Sequence, residues 1–169
     1  RDGDYASVEA ALADSTAYSV ISLGGETFVQ SAPVVMPSHP VLIEGPKSGY
    51  AVIRSDAEVG AVKLTDGQDA QTMFRNLIVD LRARKSFQAG FWVGGGTPWT
   101  GRGAAATFEN VRVRANYPGV EHYGWLFYRD GGCSSILRKC VMNAAGSTWA
   151  YGVSSFNAAS NVIEDCAFL

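Results

Sequence analysis

The residues of this chain best suited to acid–base or anion chemistry are Arg82, Arg84, Lys85, Arg112, Arg114 and His122. The five cations fall in two short stretches, LRARK (81–85) and VRVR (111–114). In VRVR, strict alternation sends both arginines to the face opposite the valines, so one strand presents two guanidinium groups to solvent. Such a row would hold the carboxylates of an acidic polysaccharide. The plainer role for it is a solvated strand face that discourages edge pairing. His122 sits in NYPGVEHY (116–123), where Glu121, Tyr117 and Tyr123 are close enough in sequence to share proton traffic with it. A lone histidine in a loop is more often simply solvated. Trp99 and Arg102 in the longest glycine-rich loop (94–106), with Tyr117 and Tyr123, are the candidates for stacking on and hydrogen-bonding a sugar.

Several chemistries lack the residues they need. Asp66, Asp69, Asp80, Asp130 and Asp165 are scattered, so no two-carboxylate pair for glycoside hydrolysis emerges. No carboxylate triplet suggests calcium, and no CxxC spacing suggests structural zinc; neither a metal nor a cofactor is expected. The GGG run is not followed by GK[ST], which argues against a phosphate loop. A net charge of −2 argues against a basic nucleic-acid binder, and no apolar run is long enough to span a membrane. Cys140 and Cys166 occupy equivalent places and are expected to stack as buried thiols, while Cys133 has no evident partner.

What must position these groups is a repeat. One phrase recurs as MFRNLIVDL (Met73–Leu81), TFENVRVRA (107–115), ILRKCVMNA (136–144) and VIEDCAFL (162–169). Its apolar anchors, Phe74, Phe108, Leu137 and Ile163, are 34, 29 and 26 residues apart. Each is followed by one charged residue and then a corner residue: Asn76, Asn110, Lys139 or Asp165. Segments headed by Gly90, Gly124 and Gly152, 34 and 28 apart, precede the later phrases in register, with GAVKLTD (60–66) in the same place before the first. A period in this range marks stacked repeats. The unit reads as strand, corner, strand, so like residues should lie over like: Phe74 against Phe108, and Asn76 against Asn110. Ile78 is the apolar residue that this alternation leaves on the outer side.

The first residues read differently. YASVEAALA (5–13) is a short amphipathic helix capped by Asp4 or Ser7, with Val8, Ala11 and Leu12 on one face. Strands follow at 19–23, 26–30, 33–36, 41–44 and 50–53, punctuated by Gly24-Gly25, Pro37 and Gly45-Pro46. The run SVEAALA, VISLGGETF, APVVMPSHPVLIEGP, YAVI resembles the opening of the pectin-lyase-like, right-handed parallel β-helix superfamily, which includes phage tail spikes and polysaccharide-processing proteins. The resemblance spans the whole chain in architecture and carries little information on chemistry. It implies an all-β, right-handed single-stranded parallel β-helix (a solenoid) with a short N-terminal capping helix: one domain over 1–169, with a cap at 1–18 and coils over 19–169.

The expected function is that of a glycan-binding or glycan-processing module, extracellular or on a virion, whose partner is a polysaccharide or surface glycan. One alternative is a non-enzymatic structural element that self-assembles, for example as a homotrimer. Another is a uronate polysaccharide lyase, favoured over a hydrolase because Arg, Lys or His can serve as its base. No secretory leader is read, and the chain is expected to be a fragment of a longer one.

Overall fold

The computed structural model describes residues 5–57, 60–64, 72–82, 87–94, 104–115, 117–118, 120–128, 134–156 and 160–169. Among the described residues the protein is all-β apart from one short helix, and every strand pairing is parallel. Helix α1 (Val8–Ala13) begins three residues later than its pattern predicts, because Ser7 is the cap: its hydroxyl accepts the Ala10 N–H at 3.2 Å. Val8, Ala11 and Leu12 are its buried face.

The strands are β1 (Ser19–Ser22), β2 (Thr27–Gln30), β3 (Val34–Val35), β4 (Val41–Glu44), β5 (Ala51–Ser55), β6 (Gly60–Leu64), β7 (Met73–Leu81), β8 (Phe87–Val93), β9 (Ala105–Ala115), β10 (Glu121–Tyr128), β11 (Ser134–Arg138), β12 (Val141–Asn143), β13 (Trp149–Phe156), β14 (Ser160–Glu164) and β15 (Ala167–Phe168). They make two sheets. The larger contains the run β1-β4-β7-β9-β11-β14, with β2, β5, β12 and β15 paired alongside; the smaller runs β13-β10-β8-β6-β3. Strands β7 and β9 are long enough to serve both parts of the larger sheet, and their pairing skips Asn76 and Asn110, where the chain turns.

Those turns are left-handed. Asn76, Asn110, Lys139 and Asp165 have φ of 54°, 53°, 52° and 53°. Asn and Asp adopt this region at modest cost because a short polar side chain compensates locally; lysine has no such compensation. At the first two corners the amides bond directly: Asn110 Nδ2 donates to Asn76 Oδ1 at 2.8 Å, and Tyr50 donates its hydroxyl to Asn110 Oδ1 at 2.7 Å.

The register builds the core. Ile21, Ile43, Phe74, Phe108, Leu137 and Ile163 are successive Cα partners, so the column predicted over the last four extends back through β4 and β1. Phe74 and Phe108 stack at 5.2 Å and 8°, and Phe91 of the smaller sheet meets their edges at 5.1 and 4.8 Å. Burial of each such side chain contributes about 1.5–3 kcal/mol, and the edge-to-face geometry adds to it.

Glycine is required where the sheets approach. A Cβ on Gly124 would lie 2.6 Å from the Gly152 carbonyl oxygen and 3.1 Å from Met142 Sδ. The segment from Gly60 pairs in the place expected of it, Gly60 with Ala89, so Ala61 stands beside Gly90. Alternation also breaks at Gly124. Trp125 and Phe127 join the main core, whereas Tyr123 and Leu126 form a second cluster with Ala89, Phe87 and Trp92. Ile78, on the outer side as expected, is nevertheless buried, between its register partners Val52 and Arg112.

Candidate functional site

Two rows of charged side chains run across the larger sheet, one on each side of the corner. The row before the corner is Glu44, Arg75, Glu109, Arg138, Glu164, all successive register partners. Its signs alternate without a break. Arg75 reaches Glu109 at 2.9 Å and Glu44 at 3.8 Å, and Arg138 reaches Glu164 at 2.6 Å. Opposite charges directly across parallel strands stabilise the pairing modestly, and a shifted register would bring like charges together.

The row after the corner is Arg54, Asp80, Arg114, Asn143. Here one carboxylate serves two guanidinium groups: Asp80 Oδ2 accepts from Arg54 Nε at 3.2 Å and from Arg82 at 2.9 Å. Asp80 is nearly buried, while both arginines keep almost half of their side-chain surface. Arg114 is exposed and forms no ion pair among the described residues. Asp80, Leu81, Arg82, Arg114, Ala115, Tyr117 and Asn143 line a cleft of about 330 Å³ at the ends of β7, β9 and β12. Hydrogen bonds that Arg82 donates to Tyr117 and Asp80, with the Asp80 charge, raise its pKa above the ordinary arginine value. Asn143 Oδ1 accepts the Ala145 N–H at 3.2 Å, which leaves its amide nitrogen as the donor for a ligand. The cleft therefore offers fixed positive charge, a phenol and an amide, a set suited to an anionic oxygen.

Three sequence candidates, Arg82, Arg114 and Tyr117, converge here. The others do not. Arg112 lies with its guanidinium 4.5 Å from the centre of the Tyr50 ring, on the outer side of β9. His122 is fully buried at the start of β10 and not in a loop; its Nδ1 is 2.8 Å from Ser147 Oγ, and desolvation lowers its pKa below the usual imidazole value. Tyr123 is also buried, stacked on Tyr151 at 4.8 Å, and it donates its hydroxyl to Glu121 at 2.5 Å. Burial first, then Glu121, raises its pKa well above the normal phenol range. Arg84, Lys85, Trp99, Arg102 and Cys133 lie outside the described residues.

Stacking of the repeated phrases already sets Arg114 beside Asp80, its register partner; Asn143 in the cleft, and Arg54 beside it, are what sequence reading misses, because strands distant in the chain bring them in. Of the two thiols expected to be buried, Cys140 is and Cys166 is only half-buried; neither is in a disulfide, the Cys140 N–H lies 3.4 Å from Cys166 Sγ, and desolvation pushes the Cys140 pKa up to about 12. A larger cavity of about 680 Å³ lies between α1 and the edges of β1 and β2; Asp14 and Glu26 line it, and among the described residues no cation does. Among the described residues no cluster of His, Cys, Asp or Glu could hold a metal, and no helix is long and apolar enough to cross a membrane. No family model, curated protein or solved structure matches the chain.

Proposed function

We propose that the chain is a right-handed parallel β-helix of the pectin-lyase-like kind, capped by α1, and that it binds acidic glycans outside the cell or on a virion. The parallel strand runs, the left-handed corners and the glycine column support the architecture. The observation that carries the functional reading is the excess of cations at the cleft: Arg82 and Arg114 line it with the single carboxylate of Asp80, which Arg54 also pairs from outside the lining. Fixed guanidinium groups recognise carboxylate or sulfate oxygens with two parallel hydrogen bonds.

Recognition is favoured over lyase chemistry. A lyase base must lose its proton near neutrality, and Arg82 is held more firmly protonated than a free arginine. His122, another of the base candidates, is buried against Ser147 and does not line the cleft. Titration calorimetry with oligo-uronates and neutral oligosaccharides tests the reading, with ultraviolet absorbance at the unsaturated-product band followed alongside. The expected result is saturable binding of the acidic series, weakened by salt, without product absorbance. Failure to bind any acidic glycan would refute the reading, and product absorbance would replace it with a lyase.

A further inference from the structure

The corner that carries the cleft on its outer side holds a polar column on its inner side. Gln88 and His122, both fully buried, are register partners in β8 and β10, and Ser147 lies one rung further on, in the turn between β12 and β13. Each adjoins a segment that supplies the cleft. Gln88 Nε2 donates to the Ser55 carbonyl at 3.2 Å, and the same oxygen accepts the Arg82 N–H at 2.8 Å. His122 opens the strand into which the chain runs from Tyr117. Ser147 closes the turn that starts at Asn143, its N–H donating to the Ala144 carbonyl at 3.0 Å. Pairing with Arg114 fixes the backbone of Asn143, and this turn fixes the direction of its amide.

The column offers more acceptors than a neutral histidine can use. A neutral imidazole carries one N–H. His122 Nδ1 lies 2.8 Å from Ser147 Oγ, while Nε2 is buried without a hydrogen-bond partner among the described residues. Gln88 Oε1, one rung away, is buried without a partner too, its amide nitrogen being committed to Ser55 and Ala57. An imidazolium has two N–H groups, for which Ser147 Oγ and Gln88 Oε1 are the acceptors, the second directly or through one water. The elements packed against His122 bring Gln88, Ser147 and its register partner Ala150, none of them ionisable. Within β10, Glu121 and Tyr123 bond to each other. The ionisable groups on the far side of the corner are Asp80, Arg82, Arg114 and Tyr117 of the cleft.

We propose that His122 is a proton-linked positioning residue of the cleft: an acidic glycan bound outside the corner and a proton taken up by His122 inside it favour each other. The proposal rests on the reading of the cleft as an acidic-glycan site. Protonation sets a positive charge behind Arg82 and Arg114, and it draws Ser147 and Gln88 onto one ring, which braces the turn that aims Asn143. Burial disfavours that charge, and an anion in the cleft offsets the cost. Such coupling is reciprocal, so affinity for the anion rises as pH falls.

The probe is an oligogalacturonate, titrated calorimetrically into the intact protein between about pH 7.5 and 5.5, where its carboxylates stay ionised. Acidification should tighten binding about fivefold, the low end of ordinary coupling between sites. Binding at the lower pH should also take up part of a proton, read from runs in two buffers of different ionisation heat. Protonation of the ligand itself would act in the opposite direction. His122→Gln should abolish both the gain and the uptake. His39→Gln, which removes the other histidine of the chain, bonded to Ser15, should leave both. Proton uptake by the unaltered protein tests the coupling even if His122→Gln fails to fold. The proposal is overturned by saturable binding without proton uptake, by weaker binding on acidification, or by a gain that persists in His122→Gln. Absence of binding at every pH would refute the glycan reading, and the proposal with it.

Discussion

The two charged rows of the larger sheet share a backbone and a spacing, yet they do opposite things with charge. Before the corner, signs alternate over five strands and each cation has a carboxylate beside it. After the corner, two arginines, Arg54 and Arg82, share Asp80, and a third, Arg114, is left without an ion pair among the described residues. The first row uses charge to fix register. The second has positive charge left over, in a cleft, for something outside the protein. Charge content alone does not distinguish them; partner count does.

Both rows depend on one core, so the largest effect comes from breaking it. Phe108→Ala should destabilise the protein by about 3–5 kcal/mol, because it removes a ring packed on Phe74, Phe91 and Trp125; chemical denaturation measures this. Asp80→Asn attacks the second row specifically. It should cost about 1–2 kcal/mol, tempered by the exposure of Arg54 and Arg82, while it tightens binding of acidic oligosaccharides and steepens the salt dependence. Loss of binding in this variant would mean that Asp80 contacts the ligand directly.

How much of this was legible follows from which contacts are local. The corners at Asn76, Asn110, Lys139 and Asp165 and the inner columns could be read, since alternation fixes the face and the repeat fixes the partner. The sign alternation at Arg75, Glu109, Arg138 and Glu164 was equally readable, one residue before each corner, and lay unnoticed in phrases described only as carrying a charge. Glu44 and Arg54 were hidden because their segment replaces the Asn corner with Gly45 and departs from the phrase. The cleft was half legible. Arg82, Arg114 and Tyr117 have the right chemistry, but Asn143 comes from a three-residue strand whose place is set only by pairing with β9. His122 was misread as a loop residue because Pro118 and Gly119 precede it and Gly124 breaks the alternation behind it.

The buried histidine gives a smaller effect that leaves both charged rows intact. Its folded-state pKa lies below the unfolded value of 6.5, so the unfolded chain binds the proton more readily. Its contribution is therefore complete above pH 6.5 and is lost as pH falls through the depressed folded-state pKa, with a slope of at most about 1.4 kcal/mol per pH unit. Urea midpoints between pH 5 and 8 should show this slope, and His122→Gln should flatten it. The smallest effect belongs to the corner column. Lys139→Asn should raise stability by about 0.5–1 kcal/mol, since asparagine tolerates the left-handed conformation that lysine adopts there at a cost. No gain in the denaturation midpoint would show that the lysine corner is unstrained.

The contrast between the rows is tested most directly by replacing one arginine from each and measuring affinity for an acidic oligosaccharide by titration calorimetry. Arg114→Ala should lower affinity tenfold or more, on the order of 1.4 kcal/mol, with stability changed by less than about 0.5 kcal/mol. Arg75→Ala should leave affinity unchanged and lower stability by up to about 1 kcal/mol. Equal losses of affinity in the two variants, or none in Arg114→Ala, would contradict the account.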